Sequence, residues 1–391
     1  MGTNAQPTRW NLWKYLSFFL LFFLGVSLSG IRYEMNTDPR PMHPLLKANM
    51  ESKGDSSGAW PWCSFDSFRE YYKKHHKFPE EGSWVNKHQG YGYTERYELD
   101  FCAWKPVNVP ECFHRKRVRK VFMTGDSTGF RLFLSMLNMT IQSGGHCDLV
   151  DYEHGPIDLS GNATYYAGRV GNARIVDAFS LHKRGCKWCK AQEYSCTLAT
   201  TAGLMDIELD FIEAYLYNDG SLRITKENAL KYNLTASQNM QEFFFKNYFV
   251  KHGNPDLMIM SMPHNHEKWR PRNATIKRFN AMMETISKAK SAELPLVIIP
   301  TAGEFENKRL TSSYSYKTFN GLLARDFIYK LNTELYPHLE PYLLKPGSNF
   351  HGFHNLVNMS YTKEDWNEDG VHFNNIWYNN LMRNILSTFC V

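Results

Sequence analysis

The sequence predicts an α/β protein, a three-layer α/β/α sandwich with a mostly parallel sheet, preceded by an N-terminal transmembrane helix and a disulfide-bearing N-terminal subdomain. Three observations predict it. From residue 120 onward, short apolar or β-branched runs alternate with amphipathic stretches, the pattern of a sheet covered on both faces. The first of these runs, Val121-Phe122-Met123, breaks abruptly into Thr124-Gly125-Asp126-Ser127, and an amphipathic stretch opens at Phe130. That order reads as strand, tight turn, helix. At the other end of the chain, residues 16–31 are almost free of polar groups and carry no charge.

Taken in order, residues 1–15 read as a cytosolic tail. Arg9 and Lys14 precede the apolar segment 16–31, and no acidic residue occurs before Glu34, which favours a cytosolic N-terminus. With Leu12 and Trp13 the segment approaches the roughly 20 residues a membrane span needs, so the expectation is a single-pass type II signal-anchor. The alternative is a cleaved signal peptide, with Ser27 and Ser29 as small residues before Gly30. Both send the remainder into the secretory pathway, with a Golgi-lumenal protein expected. Residues 32–59 are polar, contain Pro39, Pro41 and Pro44 and show no steady periodicity, so they read as a stem.

Residues 60–119 are rich in cysteine and tryptophan, without long helical pattern, and read as a cross-linked subdomain packed on a catalytic body at 120–391. Within that body the strand candidates are 120–124, 148–152, 206–216, 256–262 and 294–301. The helix candidates are 130–137, 238–250, 276–290, 319–335 and 376–389. Residues 141–204 are irregular and read as an insertion.

Eight cysteines, Cys63, Cys102, Cys112, Cys147, Cys186, Cys189, Cys196 and Cys390, stand outside the apolar segment. An even number in a lumenal chain predicts disulfides. Cys102 with Cys112 would close a short loop, and Cys390 would pin the tail. His182, Cys186, Cys189 and Cys196 also have the makings of a zinc site, and Cys186-Lys-Trp-Cys189 of a redox pair, but an oxidising lumen favours disulfides. Sequons at Asn138, Asn162, Asn233, Asn273 and Asn358 are expected glycosylation sites. Net charge is +6 and charged residues make up 21% of the chain, too mild a balance to point to nucleic acid. The one dense basic run, Arg115 to Lys120, reads either as a solvated lead-in to the strand or as a landing site for an acidic glycan or acyl donor.

The chemistry rests on two distant stretches. A serine at the carboxyl end of a strand and the N-terminus of a helix sits where backbone N–H groups favour developing negative charge. It becomes a nucleophile only with a base beside it. Glu368-Asp369-Gly370-Val371-His372 supplies an imidazole and a carboxylate from one segment. His372 is the expected base for Ser127, and Asp369 the group that orients it. No phosphate-binding Gly-rich loop with lysine and no His-Glu-x-x-His motif occurs, so no cofactor or metal is expected. A transferase would use an acyl donor such as an acetyl ester or acetyl-CoA.

Gly125-Asp126-Ser127 with Asp369-Gly-Val-His372 resembles the SGNH/GDSL hydrolase superfamily, and within it the PC-esterase branch. That branch includes the plant trichome-birefringence-like polysaccharide O-acetyltransferases and the lumenal domain of the sialate O-acetyltransferase. The order Gly82-Ser-Trp-Val85, Cys102-Ala-Trp-Lys-Pro106, Cys112 and Gly125-Asp126-Ser127 is similar to the plant members, and Asp369 through Cys390 to the animal ones. The resemblance implies an SGNH-hydrolase-like fold and a lumenal serine acyl-ester enzyme, either an esterase or an O-acetyltransferase acting on O-acetyl groups of glycans.

It also implies an oxyanion hole made by the Ser127 N–H, a glycine and an asparagine. The expected Gly-x-Asn is absent. His264 and Asn265 after the 256–262 strand are the candidate donors, and the glycine stays open among Gly144, Gly145, Gly161 and Gly171. Arg131, one turn after Ser127, is a candidate substrate-binding residue. The expected partners are a glycan or other acyl-ester substrate, the membrane through the N-terminal helix and, for a transferase, a membrane partner that supplies acyl groups. The alternative function is a catalytically inactive glycan- or glycoprotein-binding module.

Overall fold

The computed structural model describes residues 60–89, 92–150, 191–213, 244–261, 272–288, 296–299, 325–361, 363–368 and 372–391. They belong to one compact unit spanning Ala59–Val391. In chain order the elements are α1 (Phe65–His75), β1 (Gly82–Gln89), β2 (Gly92–Leu99), α2 (Val109–Lys116), β3 (Lys120–Gly125), α3 (Ser127–Gln142), β4 (His146–Val150), β5 (Ala191–Thr200) and β6 (Gly203–Glu213). A π-turn at Phe244–Tyr248 leads into α4 (Phe249–His252). After it come β7 (Leu257–Met260), α5 (Arg272–Ser287), β8 (Leu296–Ile299), α6 (Arg325–Leu343), β9 (Phe350–Gly352), α7 (Leu356–Tyr361), a 3-10 turn at Glu364–Trp366 and α8 (Asn375–Cys390).

The strand order is β4-β5-β6-β3-β7-β8-β9, with β1 and β2 forming a separate hairpin. β3 sits at the centre, parallel to both neighbours, and every one of its residues is buried. This explains its unbroken apolar run, since a central parallel strand has no solvent face. The expected fold is corrected here, although the ladders from β6 through β3, β7 and β8 to β9 are parallel. The sheet is mixed, because β4, β5 and β6 pair antiparallel. Nor does any helix among the described residues have the length and apolarity to cross a membrane. Residues 16–31, like the tail and stem on either side of them, lie outside the described residues.

The expectation missed β5, which lies in the supposed insertion. Gln192, Tyr194, Cys196 and Leu198 are buried, and the residues between them are more exposed, the period-two signature of a half-covered strand. A tight Thr201-Ala202 turn returns the chain into β6. Along β6 burial alternates from Met205 to Leu209 and then becomes continuous from Leu209 to Ile212, where the strand runs beside β3.

Residues 60–119 share this core. On α1, Phe68 packs on Phe353 and Trp104, and Tyr72 packs edge-on against Tyr336 of α6. Among the described residues three disulfides tie the unit: Cys63–Cys102, Cys112–Cys390 and Cys147–Cys196. Cys102 therefore pairs with Cys63 rather than Cys112. Cys196 bonds across the β4–β5 ladder to Cys147, which removes it from any zinc or redox cluster with His182, Cys186 and Cys189. Those three lie outside the described residues.

His354 is fully buried and stacks on Tyr97 at 5.6 Å. Burial pushes its imidazole down from 6.5 to about 3. Between these values the unfolded chain binds a proton that the folded chain refuses. The stability linked to His354 is therefore complete above about pH 6.5 and is lost as pH falls toward 3. At full extent the loss is on the order of 5 kcal/mol. In urea unfolding at pH 7 and pH 4, His354→Phe is expected to show a distinctly smaller acid loss than wild type. An equal loss in both proteins contradicts this assignment.

Candidate active site

The elbow that carries Ser127 arises from local chemistry. β3 ends at Gly125, and Asp126 takes an extended conformation as the N-cap of α3. Its Oδ1 accepts hydrogen bonds from the Thr128 N–H at 2.9 Å, the Gly129 N–H at 3.4 Å and the Thr128 hydroxyl at 2.6 Å. Asp126 is wholly buried, so this carboxylate holds the turn rather than meeting a substrate. Ser127 becomes the first helical residue and is half-buried. A backbone N–H at that position has no partner within its helix, which suits it to an oxyanion.

Two glycines allow the elbow to close on β7. A methyl group at position 125 would lie 2.6 Å from Ser261 Cβ, and one at position 129 would lie 3.0 Å from the same atom. Ser261 comes directly after β7 and donates its N–H to the Thr124 carbonyl at 2.9 Å. Sequence reasoning missed both Gly129 and Ser261. The signal was available, since a glycine on each side of a strand-to-helix turn leaves room for a close backbone approach.

The tail segment reaches this elbow. His372 Nε2 lies 2.8 Å from Ser127 Oγ across 245 positions of sequence. With Nε2 as the unprotonated nitrogen, the hydroxyl donates to it, which is the geometry a general base requires. The residues just after His372 anchor it. Asn374 caps α8 by accepting from the N–H groups of Ile376 and Trp377, and α8 packs along α3. Phe373 is buried and stacked on Trp377 at 4.7 Å. Asp369 lies outside the described residues, as do His264, Asn265, Gly161 and Gly171.

Gly144 and Gly145 are described, and they are corrected. Both lie beyond the carboxyl end of α3, a helix of 16 residues, which puts them about 24 Å along the axis from Ser127. Neither can complete its oxyanion hole. Arg131 is likewise not open to a substrate in the way expected. Its Nη1 donates to Glu368 Oε2 at 2.7 Å and to the Phe373 carbonyl at 3.0 Å.

The basic run is structural. Arg115 donates to the Cys390 carbonyl, Lys116 to that of Val391 and Arg119 to that of Asp206. Lys120 Nζ lies 3.0 Å from the Asp210 carboxylate and 2.8 Å from that of Glu208. Burial raises Asp210, and burial together with Asp210 raises the nearby Glu193 to about 7. This charged group gathers at the amino end of β3, opposite the end that carries Ser127.

Among the sequons, Asn138 is 3% exposed inside α3, where a glycan has no room. The Asn358 amide donates to the Glu80 carbonyl at 2.6 Å, so a glycan there would have to take its other amide hydrogen. Asn273 is exposed on α5 and remains available. Asn162 and Asn233 lie outside the described residues. No group of side chains suited to a metal occurs among the described residues.

No protein-family model matches this chain, and no curated protein matches it with significance.

Proposed function

We propose that the chain is a serine acyl-ester enzyme of the SGNH/GDSL kind. The observation that carries this reading is the 2.8 Å contact between Ser127 Oγ and His372 Nε2 at a helix N-terminus. His372 takes the hydroxyl proton as Oγ bonds to the carbonyl carbon of an ester or thioester. The carbonyl π electrons move onto oxygen, where the Ser127 N–H donates to them. The intermediate collapses to an acyl-serine, and the leaving group departs with the proton from His372. Water or a sugar hydroxyl then attacks the acyl-serine by the reverse sequence and frees Ser127. Asp369 orients His372, and His264 or Asn265 completes the oxyanion site.

Three disulfides in the described residues support an oxidising compartment, and there the reading is an esterase or O-acetyltransferase acting on acetylated glycans. Purified full-length chain is expected to be labelled covalently by a serine-directed fluorophosphonate. It is also expected to release acetate from a small acetyl ester. Adding a sugar acceptor divides the product between free acetate and acetylated sugar, and the ratio separates esterase from transferase. A folded chain that resists the probe and spares the ester would count against the enzyme and for a glycan- or glycoprotein-binding module.

A further inference from the structure

We propose that Arg131 and Glu368 form a clasp that sets the Ser127–His372 contact. Both are then positioning residues, and Arg131 has no part in holding substrate. The inference rests on the serine acyl-ester reading above.

The clasp is a second rung beside the reacting one. Arg131 stands four residues after Ser127, so the two side chains leave the same face of α3. Glu368 stands four residues before His372, in the segment that carries the base. One rung joins Ser127 to His372 at 2.8 Å, and the other joins Arg131 to Glu368 at 2.7 Å. The same guanidinium nitrogen also donates to the Phe373 carbonyl at 3.0 Å. It therefore grips the chain on both sides of residues 369–372.

The described residues that flank 369–371 meet in a neck. The Glu368 N–H donates to the His372 carbonyl at 2.7 Å, and the Asn374 N–H donates to the Trp366 carbonyl at 2.9 Å. Asn367 and Phe373 face each other across the neck as a β-bridge. These bonds join the two flanks of 369–371 to each other and not to α3. Arg131 reaches from the nucleophile's helix to the neck.

Exposure decides what the clasp is for. The Arg131 side chain is 27% exposed and that of Glu368 is 47% exposed. An ion pair this open to water contributes little to stability. A displacement of His372 by about 1 Å, by contrast, costs on the order of 10²-fold in rate. Losing the clasp should therefore leave the fold intact and slow the reaction.

The test uses the full-length chain with a chromogenic acetyl ester, the fluorophosphonate probe and the His372 ring signal in ¹H–¹³C NMR. Arg131→Met is expected to lower kcat about 10²-fold while KM stays within about twofold. The thermal midpoint should hold, and the His372 signal should shift or broaden. Glu368→Gln should lose about 10-fold, and the double variant no more than Arg131→Met alone, because both remove one interaction. Arg131→Lys should recover part of the rate, since an ammonium still reaches one of the two acceptors. A raised KM with unchanged kcat in Arg131→Met overturns the clasp and returns Arg131 to substrate binding. An unmoved His372 signal overturns it as well, and that readout needs no activity. Wild-type chain that neither labels nor turns over defeats the enzyme reading instead.

Discussion

Ser127→Ala is expected to abolish fluorophosphonate labelling and to lower acyl-ester turnover by about 10³- to 10⁶-fold. The physical reason is that no other group takes over the covalent step once Oγ is gone. His372→Ala should fall into the same range, because an unassisted serine hydroxyl stays protonated and is a poor nucleophile. The double variant should be little worse than either single one, since the two residues act as a unit and either loss ends the same step. Stability should change by less than about 1 kcal/mol in Ser127→Ala. Asp126 makes the cap, and the Ser127 side chain fills no core position. Labelling that persists in Ser127→Ala would falsify the assignment of the nucleophile.

The second large effect concerns the tail. The bond between Cys112 and Cys390 joins residues 278 positions apart. Replacing both by serine is expected to cost about 2–5 kcal/mol, the range in which loss of a native disulfide usually falls. Denaturant unfolding of the oxidised protein measures it. A loss of activity should accompany it under conditions where the chain is still folded. Cys390 ends α8, and His372 stands just before the start of that helix, so a loosened helix lets the base drift from Ser127. The Cys147–Cys196 bond spans only 49 positions and clips the edge strand β4 to β5. Its removal should cost stability with little effect on the rate of the folded fraction. Equal rate losses from both bonds would mean that the tail disulfide acts on the fold alone.

How much of this was legible depends on the range of the forces involved. β3 and α3 were readable because their signals are local. An apolar run ends in Gly125, an N-capping aspartate comes next, and an amphipathic helix begins. The final helix was readable for the same reason, and Asn374 supplies its cap one residue before it starts. β5 was also written in the sequence, as alternation from Gln192 to Leu198, but a cluster of cysteines invited a different reading of the same stretch. The antiparallel pairing of β4, β5 and β6 was not readable. Strand direction is settled by which neighbour each strand meets, and alternation looks alike in either direction.

The pairings and occupancies were the least accessible. Cys102 has a partner 39 positions upstream and a rival ten downstream, and only the fold brings the former within bonding reach. Asn138 fits the sequon rule, yet α3 buries it. Gly144 and Gly145 looked as good as any glycine for an oxyanion hole until the length of α3 carried them to its far end. Arg131 does stand near the nucleophile, as its position one turn into the helix suggests. Its occupation by Glu368 and by the Phe373 carbonyl came from a segment more than two hundred positions away.

By itself, then, the amino-acid order determined the strand that leads to the serine, the helix that begins there and the identity of a histidine able to serve it. Those properties arise from neighbours a few residues apart, through backbone geometry, capping and periodic burial. The tertiary structure alone decided the mixed sheet, the disulfide partners among the described residues, the engagement of Arg131 by Glu368 and the Phe373 carbonyl, and the meeting of Ser127 with His372. Each of these is a contact between distant segments, and its free energy is realised only when the packing of α8 along α3, secured at Cys112, has brought them together.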